Sequence, residues 1–445
     1  MTKKKNVSIF IVTILFLTSF LMFGSNYHLK AQESENLYEN SKIRILVWRD
    51  AHTEAVKKKV SEFEDKTGID VIIDDLPTQS LTEKMAMNLT SQTGKYDLVA
   101  VDEPYVPKFA SFFINYNEWP EPKVISEKVN LDIVPEGAVK AGSWQNNVKG
   151  LPINANVYMF AYRKDLINDE TNKKSFKEEY GYELKQPETL EQLHEIGEFL
   201  YKNNDIYGYA PFTVKSEGAT VEFMWLLKSF GTDILNSDLE VVLDIDKAVE
   251  ALDYYSKLLE VSPPSKLSMG HPETIRNMEM GQLFSTLQWP AIIAGHEDPE
   301  KSEVAGNLAY GTNPAGPGGS AAITGVWTLA IPESSKNKQA AAEFAYWWGS
   351  EESGRELVKA GMSPMRTDLL TDPDLQAKYP WYEALLTNLN GDVAVHRPRF
   401  AQYPRVSDEI STYFSRVISG NMEAREAMVE LKESIENIVK EYKNE

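Results

Sequence analysis

Cysteine is absent from all 445 residues. That excludes disulfides, the small stapled scaffolds that depend on them, and any zinc site built on thiolates. The six histidines, His28, His52, His194, His271, His296 and His396, are dispersed along the chain, so no metal is expected. There is no G-x-x-x-x-G-K-[ST], no H-E-x-x-H, no G-x-S-x-G, and no G-x-G-x-x-G placed after a strand. Gly94-Lys95 lacks the preceding P-loop glycine and runs into Tyr96, which makes it a loop before a strand. Positive charge is scarce: 46 Lys and Arg stand against 66 Asp and Glu, a net charge of -20. Nucleic acid, whose phosphates require clustered bases, is therefore not an expected partner. Internal repeats and low-complexity tracts are lacking too.

The long apolar run, Val7 to Phe23, follows Lys3, Lys4 and Lys5. This is the pattern of a secretory signal, and its length of about 17 residues is near the lower limit for a membrane span. Residues 1–41 therefore read as a signal or membrane-anchor segment with a polar linker. A cut after Ala31 and an uncleaved anchor are both compatible with the pattern, and the positive-inside rule puts the folded part outside the cell either way. Without disulfides the exported chain needs a large apolar core. Its composition, 42% hydrophobic, 11% aromatic and 25% charged, is that of a globular protein long enough for two domains.

From Ile43 to Tyr105, strand and helix periods alternate. Ile43 to Trp48 is a β-branched run; Val56, Val60 and Phe63 have helical spacing, with Gly68 as a C-cap; Ile69 to Ile73 is the next strand. Ser80 to Ser91 repeats the helical period, and Asp97 to Val101 reads as a buried strand. Strands joined by helices imply parallel pairing with right-handed crossovers, and ligands in such sheets sit beyond the strand C-terminal ends. Those ends are Trp48 to His52, Asp74 to Gln79 and Asp102 to Tyr105. Farther on, helices are expected at Leu190 to Lys202, Val221 to Phe230, Ile245 to Leu259, Gln339 to Trp348, Ser353 to Lys359 and Ser407 to Lys443. Asn313 to Ser320, rich in Gly and Pro, reads as a loop or hinge-like connector. Trp48, Trp225, Trp289 and Trp327 lie close to turn-forming or hydrogen-bonding residues. An aromatic face with polar neighbours suits a sugar ring, while large aromatics are also the usual core residues.

Taken in order, several segments resemble the maltose-binding-like carbohydrate-binding proteins of ABC importers. They are Phe63 to Val71, Tyr96 to Asp102, Gly150 to Leu166, Gly281 to Pro290, Trp327 to Pro332, Ser334 to Trp348, Ser363 to Arg366, and Arg397 to Arg399 with the helix after them. The resemblance runs from Ile43 to the C-terminus. It implies an α/β, two-lobed periplasmic-binding-protein-like fold, each lobe a mainly parallel sheet flanked by helices, with a hinge and an interlobe cleft. It implies crossings near Asn154 to Asn156, near Tyr310 and near Gly361 to Pro364. The N-terminal lobe is then 42–154 plus 310–361, and the C-terminal lobe 155–309 plus 362–445.

Carried over position by position, the resemblance puts Trp48, Asp50, His52, Asp102, Asn156, Trp225, Trp289, Gly325, Trp327, Arg366 and Arg397 at the ligand. Each has a plainer reading beside it. Asp102 is either an acceptor for two sugar hydroxyls or an N-cap. His52 is a donor or a helix-start residue, and Tyr158, near Asn156, faces the ligand or the core. Asn156 stands where the maltose-binding member has a carboxylate. Gly325 permits close backbone approach or a turn. Arg366 and Arg397 clamp hydroxyls, pair with an anionic sugar, or form salt bridges.

The implied function is capture of a carbohydrate, whether a monosaccharide, sugar derivative or short oligosaccharide, for delivery to the permease subunits of an ABC transporter. The protein is then a monomer that acts without cofactor or catalysis. An exported polysaccharide-degrading hydrolase or lyase is the alternative from another class, and a binder of peptide, polyamine or iron chelate is a third. Gram-positive relatives are usually lipoproteins; here Ser25 stands where the lipidated cysteine would be. The expected location is the outer face of the cytoplasmic membrane, by cleaved signal or uncleaved anchor.

Overall fold

The computed structural model describes residues 41–118, 131–360, 362–390 and 393–444. The export segment through residue 40, and Gly361 in the third expected crossing, lie outside the described residues.

Two sheets, each with its own core, account for the two lobes. In the first, β1 (Lys42–Trp48) is flanked by β2 (Asp70–Leu76) and β3 (Leu98–Asp102), all parallel. Beyond β3 come β10 (Trp327–Ala330) and β4 (Leu151–Pro152), both in antiparallel register. The second sheet has the order β8 (Leu308–Gly311), β5 (Met159–Arg163), β7 (Leu283–Gln288), β6 (Tyr207–Ala210). Only β6 and β7 run parallel there. Both sheets are thus mixed. The parallel part of the first is the stretch whose strands are joined by helices, and β10 enters it in the opposite direction after crossing from the other lobe. A short parallel pair, β9 (Ala322–Ile323) with β11 (Ala394–Val395), lies beside the crossings.

The helices form where apolar spacing and caps agree. For α1 (Ala51–Thr67), the Asp50 side chain accepts from the backbone N–H of His52 and Thr53, and Gly68, at φ 71°, ends the helix. After α2 (Thr78–Ser91) and α3 (Leu190–Asn204), α4 (Glu217–Ser229) and α5 (Ile245–Glu260) build the second core. α6 (His271–Glu279) and α7 (Pro290–His296) flank the cleft, and α8 (Lys338–Gly349) and α9 (Glu351–Lys359) belong to the first lobe. The long C-terminal helix expected from Ser407 to Lys443 is two helices, α10 (Tyr403–Ile418) and α11 (Ala424–Asn444). Gly420, at φ 72°, breaks the chain between them.

The crossings are held by backbone pairing. Ile153 N–H donates to Trp327 O (3.0 Å), Gly325 N–H to Asn156 O (3.0 Å), Tyr158 N–H to Ile323 O (2.8 Å) and Ala155 N–H to Pro364 O (3.3 Å). The second crossing is therefore at Thr324 to Val326 rather than near Tyr310. Tyr310 sits in β8, paired with Ala161 of β5 in the second sheet. The Gly- and Pro-rich loop is no hinge either. Gly318 N–H donates to Ser229 O (2.7 Å) and Ala315 N–H to Glu188 O (2.8 Å), so the loop lies against the second lobe. A third apolar cluster, with Ala155, Val157, Ala322, Leu370 and Trp381, packs around the crossing segments.

Candidate functional site

Between the lobes lies a cavity of about 1030 Å³. The first lobe supplies its wall from the ends of β1 and β3 and the start of β10. Trp327 is directly opposite Asp102 in the β3–β10 ladder. Its ring stacks on Trp48 at 4.5 Å and 18°. Both tryptophans line the cavity while staying buried, at 8% and 5% exposure. Asp50 caps α1 through one oxygen and meets His52 Nδ1 with the other at 2.9 Å. With Nδ1 facing the carboxylate, His52 Nε2 is left buried without a partner. Burial raises the Asp50 carboxyl, but the His52 contact and the backbone N–H groups outweigh it and hold the carboxyl below its ordinary value.

The floor is an ion cluster spanning both lobes. Arg397, 2% exposed, donates through Nη2 to Asp102 Oδ1 (2.5 Å) and through Nη1 to Asp102 Oδ2 (2.8 Å) and to Glu217 Oε1 (3.0 Å). Glu217, at the first turn of α4, also accepts from Tyr403 Oη and from Ser407 Oγ. Behind it, Glu103 Oε1 accepts from Thr324 Oγ1 at 2.7 Å, with Arg397 Nε at 3.8 Å and His396 Nδ1 3.7 Å from Oε2. Burial pushes Asp102 up to about 6, helped by Glu217 and Glu103 and opposed by Arg397. Glu103 is buried too, yet His396, Arg397 and Arg399 together draw it down to about 2. The guanidinium stays charged: burial works against it, and the carboxylates more than compensate.

The second lobe closes the other side with Phe212, His271 and Glu279 and with Trp289, which opens α7. Burial lowers His271 to about 4, leaving the imidazole neutral. Trp289 is half-buried, whereas Trp48 and Trp327, the other lining tryptophans, are buried. It packs on Tyr158 (5.1 Å between rings) and against the backbone of Gly325, where an added Cβ would lie 2.5 Å from its Cζ3. Asn156 Nδ2 donates to Gly325 O (2.7 Å), and Asn156 Oδ1 remains buried and unpaired.

The cavity brings together Trp48, Asp50, His52, Asp102, Asn156, Trp289, Gly325, Trp327 and Arg397 from the sequence expectations. Two expected residues are elsewhere. Trp225 is fully buried in the second core, stacked with Tyr209. It lies one helical turn beyond Val221, the last α4 residue to touch the cavity, so it packs beneath the wall rather than in it. Arg366 starts the short helix Thr367–Leu370 and pairs with Asp368 through Nε (3.0 Å) and Nη2 (2.7 Å), away from the cavity. Tyr158 is in the core, its hydroxyl on Glu222. Sequence reasoning missed Glu217, Phe212, His271 and Glu279. The helix start at Glu217, four residues ahead of the expected one, was the one available signal. Among the described residues, no group of side chains could hold a metal ion, and no helix is long and apolar enough to cross a membrane.

Residues 50–355 match the family model described as bacterial extracellular solute-binding protein. A probable amino-acid ABC transporter periplasmic-binding protein of Sinorhizobium fredii is 27% identical over 372 residues, covering 81% of each chain. The fold is shared with a solute-binding protein of Agrobacterium radiobacter K84 solved with ribitol, at TM-score 0.78 and 24% identity, over 88% of this chain and 98% of that one. It is shared equally with maltose-bound MalE3 of T. maritima, at TM-score 0.79 and 24% identity, over 89% and 99%. The chain belongs to the bacterial extracellular solute-binding protein family.

Proposed function

We propose that this protein is the substrate-binding component of an ABC importer and that the interlobe cavity holds a carbohydrate or polyol. The observation that carries this reading is the half-buried Trp289 ring on the lining together with two buried polar atoms that lack partners, His52 Nε2 and Asn156 Oδ1. An aromatic face takes the C–H face of a sugar, and hydroxyl groups, which both donate and accept, supply the missing partners. The volume is large enough for a short oligosaccharide. Ribitol and maltose in the two structural neighbours are ligands of the same class. Lobe closure about the crossings, a hinge-type population shift, is the signal to the permease. The protein acts as an exported monomer at the outer face of the membrane.

A binding role without catalysis is supported by the state of the carboxylates. Asp102 and Glu217 both hold one guanidinium, and Asp50 holds His52. None is a free acid or base of the kind glycoside hydrolysis needs. A thermal-shift and calorimetric panel of sugars and polyols tests the reading. A ligand at about a thousand times its Kd adds about 4 kcal/mol of stability. Absence of stabilisation by every carbohydrate and polyol would sink the proposal, and turnover of an oligosaccharide would sink its non-catalytic part.

A further inference from the structure

We infer that the site selects uncharged ligands and rejects those carrying a carboxylate, whether uronates, aldonates or amino acids. The inference rests on the carbohydrate reading above and narrows its ligand class. An anionic group buried in a cleft needs a cation, or unclaimed N–H groups, in reach.

The lining residues offer one buried guanidinium, Arg397, and it is already claimed, as is the buried His52 ring, which faces Asp50 at 2.9 Å. Asp102 takes two of the guanidinium N–H groups in bidentate geometry, Glu217 takes another contact from the opposite lobe, and Arg397 Nε is 3.8 Å from Glu103. An incoming carboxylate would have to displace one of these anions and leave it buried without its partner. The other lining cations lie on the exposed rim. Arg49 pairs with Asp75 at 2.6 Å and Lys215 with Asp408 at 2.8 Å, while Lys108 lies over the Phe109 ring. Backbone donors at the start of α1 are likewise taken by Asp50. His271 is neutral and cannot supply the charge.

The other lining groups strengthen the point. Asp50, Glu217 and Glu279 put carboxyl groups on the cavity lining, and the unpaired Asn156 Oδ1 is an acceptor for a hydroxyl. Such a surface repels a carboxylate and matches a donor-rich neutral molecule. The probable amino-acid transport protein among the relatives thus differs from this chain in the expected ligand, since an amino acid presents its carboxylate to any site that binds it.

Calorimetric titration of the exported protein at pH 7.5 with matched pairs tests the inference: glucose and glucuronate, ribitol and ribonate, maltose and maltobionate, with leucine and glutamate as amino-acid probes. For each neutral member that binds, its acid should bind at least tenfold more weakly, and the amino acids should give no heat of binding. An acid binding as tightly as its neutral parent, or an amino acid binding where no carbohydrate does, overturns the inference and leaves the solute-binding assignment standing. Binding by no member of either class removes the carbohydrate reading itself, and the inference with it. Asp102→Asn, which takes one anion off Arg397, should move the acid-to-neutral affinity ratio at least threefold toward the acid. A folded variant with an unchanged ratio shows that Asp102 is not what excludes the anion.

Discussion

Glu222 gives the sharpest test of the electrostatics beneath the site. It lies on α4 with 0% exposure. Its Oε2 accepts from Tyr158 Oη at 2.8 Å, and its Oε1 from Tyr209 Oη at 2.8 Å and Tyr255 Oη at 3.0 Å. Burial raises the carboxyl from 4.5 to about 7, although the three phenols and the Phe212 backbone N–H pull the other way. In the unfolded chain the group returns to its ordinary value. Between 4.5 and 7, therefore, the native state holds a proton that the unfolded state has released, and stability falls as pH rises through that window. A gap of about 2.5 pH units at about 1.36 kcal/mol each puts the full loss at about 3 kcal/mol by pH 8. Glu222→Gln has the shape of the protonated acid and does not titrate. Its stability should exceed that of the native protein by less than about 1 kcal/mol at pH 5 and by about 3 kcal/mol at pH 8. Urea unfolding of both proteins at the two pH values, followed by far-UV circular dichroism, measures the difference directly. Asp102, also raised, is present in both and cancels from the comparison. An equal difference at the two pH values, or a variant less stable than the native protein at pH 8, refutes the account of Glu222 as a carboxyl held up by burial.

The remaining predictions concern the cleft wall and the two residues outside it. Gly325→Ala puts a Cβ 2.5 Å from the Trp289 ring and 3.0 Å from Asn156 Nδ2. Overpacking there should cost about 1–3 kcal/mol and weaken carbohydrate binding at least tenfold; a variant with native melting temperature and affinity contradicts the packing described. Trp225→Ala should cost about 3–5 kcal/mol in unfolding free energy, with Trp225→Phe retaining native affinity. Trp289→Ala should do the reverse, losing affinity with a smaller stability cost, and calorimetry together with thermal melts separates the two. Arg366→Ala should shift stability by less than about 1 kcal/mol, because its partner Asp368 is partly exposed. Its ligand affinity should equal that of the native protein by titration.

The fold was legible where local rules decide it. The cap at Gly68, the apolar period of α1, and the buried run ending at Asp102 all repeat in the structure, and they fix the parallel half of the first sheet. What periodicity could not reach is the order in which the chain returns. β10 joins β3 across a separation of more than two hundred residues, and nothing in the Leu308–Gly311 run distinguishes an edge strand of the second sheet from a crossing. Backbone pairing with β5 makes that choice. The loop at Asn313 to Ser320 misled for a related reason. Its glycines serve close approach to the second lobe, where a Cβ at Gly318 would lie 2.1 Å from Gly231 N, and a glycine cluster reads the same in sequence for either use.

The site divides along the same line. Trp48, Asp50, His52 and Asp102 are at strand ends, where topology alone predicts a ligand. Trp225 and Val221 share a helix period, and only the depth of the cavity tells which of them touches it. Arg397 shows the limit most clearly. Its partners Asp102 and Glu217 are 295 and 180 residues away in sequence, so the same arginine fitted a clamp for hydroxyls, a receptor for an anionic ligand, or a salt bridge between lobes. The bidentate geometry decides for the salt bridge. Because that bridge claims the buried guanidinium among the described lining residues, the proposed selectivity follows: a carboxylate must break a buried ion pair to enter, and a hydroxyl need only pair with an atom that has no partner.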